Sequence, residues 1–294
     1  MRSITVTAPA KINLTLDITG KRRDGFHTLS TIMQSISLSD TVFIELNDSG
    51  KIFFECKADG IPDGKENIAY RAAKAFLDCS GVSCGGLYIS VNKAIPFQAG
   101  LGGGSADCAA VLVGLNKLLG TGYSKDELCK IGVTLGADVP FCIVGGTKIC
   151  RGIGEIITDA PALESCYIAI AKGGKGISTK SAYEEIDLQQ LFGENDIPEK
   201  FDGSIRSLKE IGGNVFENTN GCRNVHDIQF IKDTFYSLGA EYSAMSGSGS
   251  AVFGIFTEKA AAEKACGEIQ KHGFFAGAYT PVSYGAKVVN DPIL

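Results

Sequence analysis

The sequence predicts an α+β chain built in two halves, and three observations carry the prediction. Apolar and polar residues alternate through most of residues 1–56, as they do in strands. A glycine-rich stretch at 96–107 separates another alternating run from a long apolar one, in the order strand, loop, helix. Past residue 160 the runs read strand, helix, strand, strand, helix, strand with an extra helical insert, the order of a ferredoxin-like unit. A length of 294 residues suits two domains better than one. Asp159-Ala160-Pro161-Ala162 is the expected boundary, giving halves 1–158 and 159–294.

Composition excludes several function classes. Hydrophobic residues make up 44% of the chain, enough for a core. The net charge of −5 makes neither nucleic acid nor an anionic membrane an expected partner. The N-terminus shows no signal-peptide core and no run is long enough to span a bilayer, so a cytoplasmic protein is expected. None of the ten cysteines forms a Cys-x-x-Cys pair. Buried reduced thiols are expected, with neither disulfides nor a protein-held metal. No obligate protein partner is expected.

In the first half, Ile4 and Val6 open a strand. Ile12, Leu14, Leu16 and Ile18 then share one face, with Lys11, Asn13, Thr15 and Asp17 on the other. Lys11 and Asn13 can point together into a cleft; the same spacing equally describes a solvated face. Asp24-Gly25 signals a turn, and Phe26 and His27 project just past it. They are placed either to stack on a base or to pack a hairpin. Strands are expected near 28–37, 41–46 and 51–56, and a helix capped by Asn67 runs through Leu77 to Gly81.

Leu87 to Val91 alternate as a strand and lead into Pro96-Phe97-Gln98-Ala99-Gly100-Leu101-Gly102-Gly103-Gly104-Ser105-Ala106-Asp107. Cys108 to Leu119 are apolar nearly all round, a buried helix closed by Gly120. Glycines free backbone N–H groups to face a ligand, and a helix N-terminus adds partial positive charge, so this is an anion site. It is not a P-loop, because Ser105 and Ala106 follow Gly104 where Lys-Ser or Lys-Thr is needed. It is not a dinucleotide fingerprint, because Ser105 stands where the pattern starting at Gly100 needs glycine.

Ser124 to Glu127 form a capping box, so a helix begins there and runs to about Leu135 before Gly136. Asp138 follows in Gly136-Ala137-Asp138-Val139-Pro140. Pro140 is expected to push Val139 away from helical angles and restrict Asp138. This carboxylate in an apolar context is a candidate base, or else a capping or turn aspartate. Residues 149–158 read as an edge strand with glycine breaks.

In the second half a strand at 167–171 precedes a loop at 172–176. Ser178 opens a helix carrying Tyr183, and residues 193–225 are rich in loop. Then come a helix (226–238), a strand (240–245), Ser246-Gly247-Ser248-Gly249-Ser250, a strand (251–256), a helix (258–271) and a strand (275–283). The second glycine-serine turn suits phosphate oxygens and equally suits a plain hairpin.

Taken together, the glycine stretch, Lys11 with Asn13, Asp138 and the second glycine-serine turn resemble the GHMP kinases. The matching segments are Ala8 to Leu14, Arg23 to Leu29, Gly100 to Asp107, Leu135 to Phe141, Gly173 to Tyr183 and Ser246 to Val252. The resemblance covers essentially the whole chain. Asp24-Gly25-Phe26-His27 is its most discriminating part and points to the branch that acts on a cytidyl-diphospho polyol. Gln98 stands where many relatives carry glycine, and Lys172-Gly173-Gly174 replaces a more usual proline-glycine. Both departures bear on loop geometry.

The resemblance implies a ribosomal-protein-S5-like N-terminal half and a ferredoxin-like C-terminal half. It implies ATP as phosphoryl donor, with Mg2+ arriving on ATP, and a small-molecule alcohol as acceptor. Asp138 would accept or orient the hydroxyl proton beside Lys11. Pro96 to Ala106 and Ser246 to Gly249 would hold ATP. Asn13 would contact substrate, Phe26 and Tyr183 would sandwich a cytosine ring, and His27 would bond its edge. Two other readings remain open: a different small-alcohol kinase of the family, and a nucleotide-binding module without catalysis.

Overall fold

The computed structural model describes residues 2–58, 60–174, 176–193 and 200–289. Lys175 and residues 194–199, parts of two expected loop stretches, lie outside these, as do the last five residues of the second half.

Two long strands frame the first half. β1 (Ser3–Lys21) and β2 (His27–Asn47) run antiparallel along almost their whole length. Register shifts between Pro9 and Lys11 and between Asn13 and Thr15 interrupt the ladder. Bulges of this kind re-aim side chains, and these two bracket Lys11 and Asn13. The chain continues through β3 (Ile52–Glu55), α1 (Ile68–Ser80), β4 (Gly86–Asn92), α2 (Gly103–Leu119), α3 (Lys125–Val133), α4 (Val139–Val144), β5 (Thr147–Gly152) and β6 (Ile156–Asp159). The sheet orders as β1-β2-β4-β3, with β5 and β6 pairing off the other end of β2.

Ile4, Val6, Ala8, Ala10, Ile12 and Leu14 on β1 are buried against α2, as the alternation predicts. Gly114 lets α2 sit close to the sheet: a Cβ there would meet Ile44 Cδ1 at 2.7 Å. The opposite face of β1 is not solvated. Lys11 is 4% exposed and Asn13 2%: the glycine turn packs on Lys11 at Gly102, and Ser246 and Gly247 of the second half reach Asn13 and Lys11.

That second half comprises β7 (Tyr167–Lys172), α5 (Thr179–Gln189), α6 (Ile205–Ile211), α7 (Asn220–Arg223), α8 (His226–Ser237), β8 (Tyr242–Met245), β9 (Val252–Phe256), α9 (Lys259–Gln270) and β10 (Phe275–Tyr279). The four strands are antiparallel in the order β10-β7-β9-β8. With α8 and α9 as the connecting helices this is the expected ferredoxin-like arrangement, and α5 to α7 are the insert. Past Tyr279 the chain returns to the first sheet, where β11 (Lys287–Val288) pairs with Val6 and Thr7. One apolar cluster runs through both sheets, joining Ile12 and Leu14 to Ile168, Ile170 and Phe253.

Several elements differ from expectation. α2 begins at Gly103, so Gly103 to Asp107 form its first turns and are not loop. Pro140 does not keep Val139 out of a helix: it occupies the first turn of α4, where its missing N–H has no helical partner to lose. Residues 147–159 form a hairpin of two strands. α6, α7 and a short 3-10 turn (Val215–Asn218) occupy much of the stretch expected to be loop, and the last expected strand stops at Tyr279.

Candidate active site

The two glycine-rich segments dock on each other. Ser246 Oγ donates to the Gly100 carbonyl at 2.9 Å, and the Ala251 amide donates to the Ala99 carbonyl at 3.1 Å. A Cβ at Gly100 would lie 2.0 Å from the Ser246 carbonyl oxygen, so only glycine permits this approach. Gln98 has φ 50°, a left-handed conformation that glycine adopts more easily.

The Gly102 N-cap of α2 contributes no side-chain hydrogen bond. The first amides of α2 are therefore left for another acceptor. A cavity of about 400 Å³ lies over this turn, lined by Pro96 to Ser105, Asn67, Lys93 and Asp107 among others. Ala106 is buried behind it.

A second cavity of about 240 Å³ lies on the other side of the glycine turn. Its walls include Lys11, Asn13, Asp138, Tyr183, Gly247 and Ser248. Gly100 and Gly102 line both cavities, so the two spaces share that wall. Lys11 Nζ donates to Asn13 Oδ1 at 2.7 Å and stands 3.4 Å from Asp138 Oδ2. Asn13 Nδ2 in turn donates to Thr31 Oγ1 at 2.9 Å. Asp138 is the N-cap residue of α4, yet its side chain makes no capping bond. Its carboxylate faces Lys11, with the positive end of a short helix behind it. The side chain therefore does not cap α4.

The residues expected to hold a flat base are only partly together. Tyr183 lies against His27, ring centroids 4.9 Å apart and tilted by 31°. Burial pushes the Tyr183 phenol up to about 12, so it stays neutral. Phe26 stands 58% exposed at the turn, and no ring contact with Tyr183 exists in the structure. The sandwich expected of this pair is not closed.

Matches to known proteins follow this layout. The model of the GHMP kinases N terminal domain matches residues 67–146 and that of the GHMP kinases C terminal domain matches 204–274. The chain belongs to the GHMP kinase family. A 4-diphosphocytidyl-2-C-methyl-D-erythritol kinase of Geobacter metallireducens is 40% identical over 92% of this chain and 95% of its own. One from Acetivibrio thermocellus is 43% identical over 87% and 91%. Among solved structures, a 4-(cytidine 5'-diphospho)-2C-methyl-D-erythritol kinase superposes with a TM-score of 0.81 at 32% identity, covering 95% of this chain and 99% of that one. A homoserine kinase from Cytophaga hutchinsonii, at 20% identity and a TM-score of 0.73, covers 98% and 97% and shares the fold.

Sequence reasoning missed two groups in this GHMP kinase. Lys93, on the wall of the larger cavity, donates to Asp40 Oδ2 at 2.5 Å and to Asp107 Oδ2 at 2.6 Å. Asp40 Oδ1 accepts from the Ala94 and Ile95 amides. The signal was present: Ile36, Leu38, Asp40, Val42 and Ile44 alternate, which puts a carboxylate on the core face, where it must be paired. Burial pushes the Asp107 carboxyl well above its usual range against the pull of Lys93. Asp187 was also missed, although it lies one helical turn beyond Tyr183.

Proposed function

We propose that this chain transfers the γ-phosphoryl group of ATP to the 2-hydroxyl of 4-diphosphocytidyl-2-C-methyl-D-erythritol, a step in isoprenoid precursor biosynthesis. The observation that carries the reading is the shared wall. A nucleotide-sized cavity lies on the uncapped start of α2, and a smaller one holds Lys11 and Asp138. A phosphoryl group passing across Gly100 and Gly102 enters the space where Asp138 can meet a hydroxyl. The names of relatives 40% identical over nearly the whole chain supply the substrate.

Residues 96–106 and 246–249 hold ATP, with backbone amides on its phosphates. Asp138 accepts the hydroxyl proton, and Lys11 beside it favours the ionised carboxylate and offsets charge on the transferring group. Asn13 orients Lys11 and touches the acceptor. A tertiary alcohol is a hindered nucleophile, so positioning supplies much of the rate. Phe26 and Tyr183 close on the cytosine when it binds, and His27 reads its edge.

Mg2+ fits as a companion of ATP. Among the described residues no group of three His, Cys, Asp or Glu side chains converges to hold a metal by itself. Hard oxygen donors on the cavity walls include the Asp138 carboxylate of the smaller cavity and the Ser105 hydroxyl of the larger one. When bound, the ion neutralises phosphate charge. All ten cysteines are free, which suits a reducing compartment, and no described helix is long and apolar enough to cross a membrane. A cytoplasmic location is part of the proposal, and the reduced thiols suit it.

ADP release from the purified chain with ATP and Mg2+, with and without the cytidyl substrate, tests the proposal. Substrate-dependent release with a phosphorylated product by mass supports it. ATP binding with no stimulation by this substrate overturns the substrate assignment.

A further inference from the structure

His27 and Asp187 form a polar contact beside Tyr183, which lines the smaller cavity, and no step described above uses it. The His27 ring is nearly buried, with an 8% exposed side chain. Its Nε2 lies 2.7 Å from Asp187 Oδ1, while Asp187 Oδ2 lies 2.5 Å from Lys21 Nζ. Lys21 first, and His27 second, hold the Asp187 carboxyl below its usual range. An ionised carboxylate can only accept hydrogen bonds, so the proton of this contact sits on Nε2. In the neutral ring the other nitrogen, Nδ1, then carries a lone pair and accepts. Nδ1 has no hydrogen-bond partner among the described residues. Tyr183 at 4.9 Å and Phe192 at 6.5 Å lie against the ring and hold its plane, and the bond to Asp187 sets which nitrogen faces it.

We infer that Asp187 is a positioning residue: it fixes His27 with Nδ1 as an acceptor, and that acceptor selects a pyrimidine carrying an exocyclic amine over one carrying a carbonyl there. The inference rests on reading Phe26, His27 and Tyr183 as the base pocket. Cytosine presents an amine donor at its 4-position, where uracil presents an oxygen lone pair. Two facing acceptors repel and leave both groups unpaired, a strong basis for rejection. Lys21 completes the device by keeping Asp187 ionised.

Nitrogen-15 NMR of the histidine rings reads the tautomer directly in the protein without substrate. The chain has three histidines, and His27→Gln assigns the signal. In the neutral ring Nε2 is expected to be protonated and Nδ1 bare. A ring protonated at Nδ1 overturns the inference.

Kinetics with the cytidyl substrate and its uridyl counterpart read the consequence. In Asp187→Asn the amide donates to Nε2 and turns the ring to its Nδ1–H form. The cytidine preference in kcat/KM then falls roughly tenfold or more, through the KM for the cytidyl substrate and not that for ATP. Asp187→Glu restores it. If His27→Ala raises that KM while Asp187→Asn leaves the preference unchanged, the inference fails and the base pocket stands. If His27→Ala leaves the KM unchanged, the base pocket reading falls with it.

Discussion

The Lys11 ammonium stands 3.4 Å from the Asp138 carboxylate although the two residues come from a strand and from the start of a distant helix. Lys11 is almost fully buried and Asp138 about one-third exposed, so the pair sits at a cavity floor with one side open. Asp138→Ala is expected to lower kcat by roughly 10²–10⁴, with ATP affinity by titration nearly unchanged. Lys11→Ala lowers it comparably. The double variant is expected to be little worse than either single one, since the two act as a unit. Retained turnover in Asp138→Ala would remove its role as base.

Neighbouring positions of the nucleotide loop should respond in opposite directions. Gly100 and Gln98 have φ 74° and 50°. Gly100→Ala forces a methyl into the Ser246 carbonyl and is expected to cost about 2–4 kcal/mol of stability and to raise the KM for ATP. Gln98→Gly relieves a left-handed glutamine and should stabilise by up to about 1 kcal/mol. Denaturant titration of both variants checks the signs.

Phe26 is exposed at its turn, so Phe26→Ala should leave stability within about 0.5 kcal/mol. It should raise the KM for the cytidyl substrate more than that for ATP. An equal rise in both would argue against stacking on the base.

Asp107 gives a pH signature. Burial raises its folded-state pKa above the unfolded value, so the folded protein holds a proton that the unfolded chain releases. Stability contributed by this group is present below the unfolded carboxylate value and is lost as pH rises toward about 8. Asp107→Asn should flatten the fall in melting temperature across that window.

Thiol reactivity should be uneven. Burial pushes the Cys129, Cys222 and Cys266 thiols up to about 11, and Cys108, Cys142 and Cys150 are raised further still. Cys79 is exposed. Brief alkylation of the folded protein followed by peptide mass spectrometry should label Cys79 first.

The local grammar of the chain was legible wherever one segment settles its own conformation. Asn67 caps α1, Ser124 and Glu127 close a capping box, and Gly81 and Gly120 end their helices in left-handed geometry. Alternation marked the buried face of β1, and the element order marked the ferredoxin-like half. The start of α2 was misjudged because glycine's low helix propensity says nothing of a turn held by the Ser246 contact and by packing against Ile95. Pro140 was misjudged because its effect depends on where in a helix it falls.

By itself the sequence marked most of the strands, the caps and a glycine-rich turn suited to an anion, since these follow from local sterics and periodicity, while the residues of a phosphoryl-transfer site came from the resemblance to the GHMP kinases. Only the tertiary structure decided that the polar face of β1 would be buried, because burial there depends on the glycine turn and the second half packing over it. It also decided that Asp138 faces Lys11 instead of capping α4, and that His27 bonds Asp187. The partners in both contacts are more than a hundred residues apart, and no period in the sequence encodes a distance across the fold.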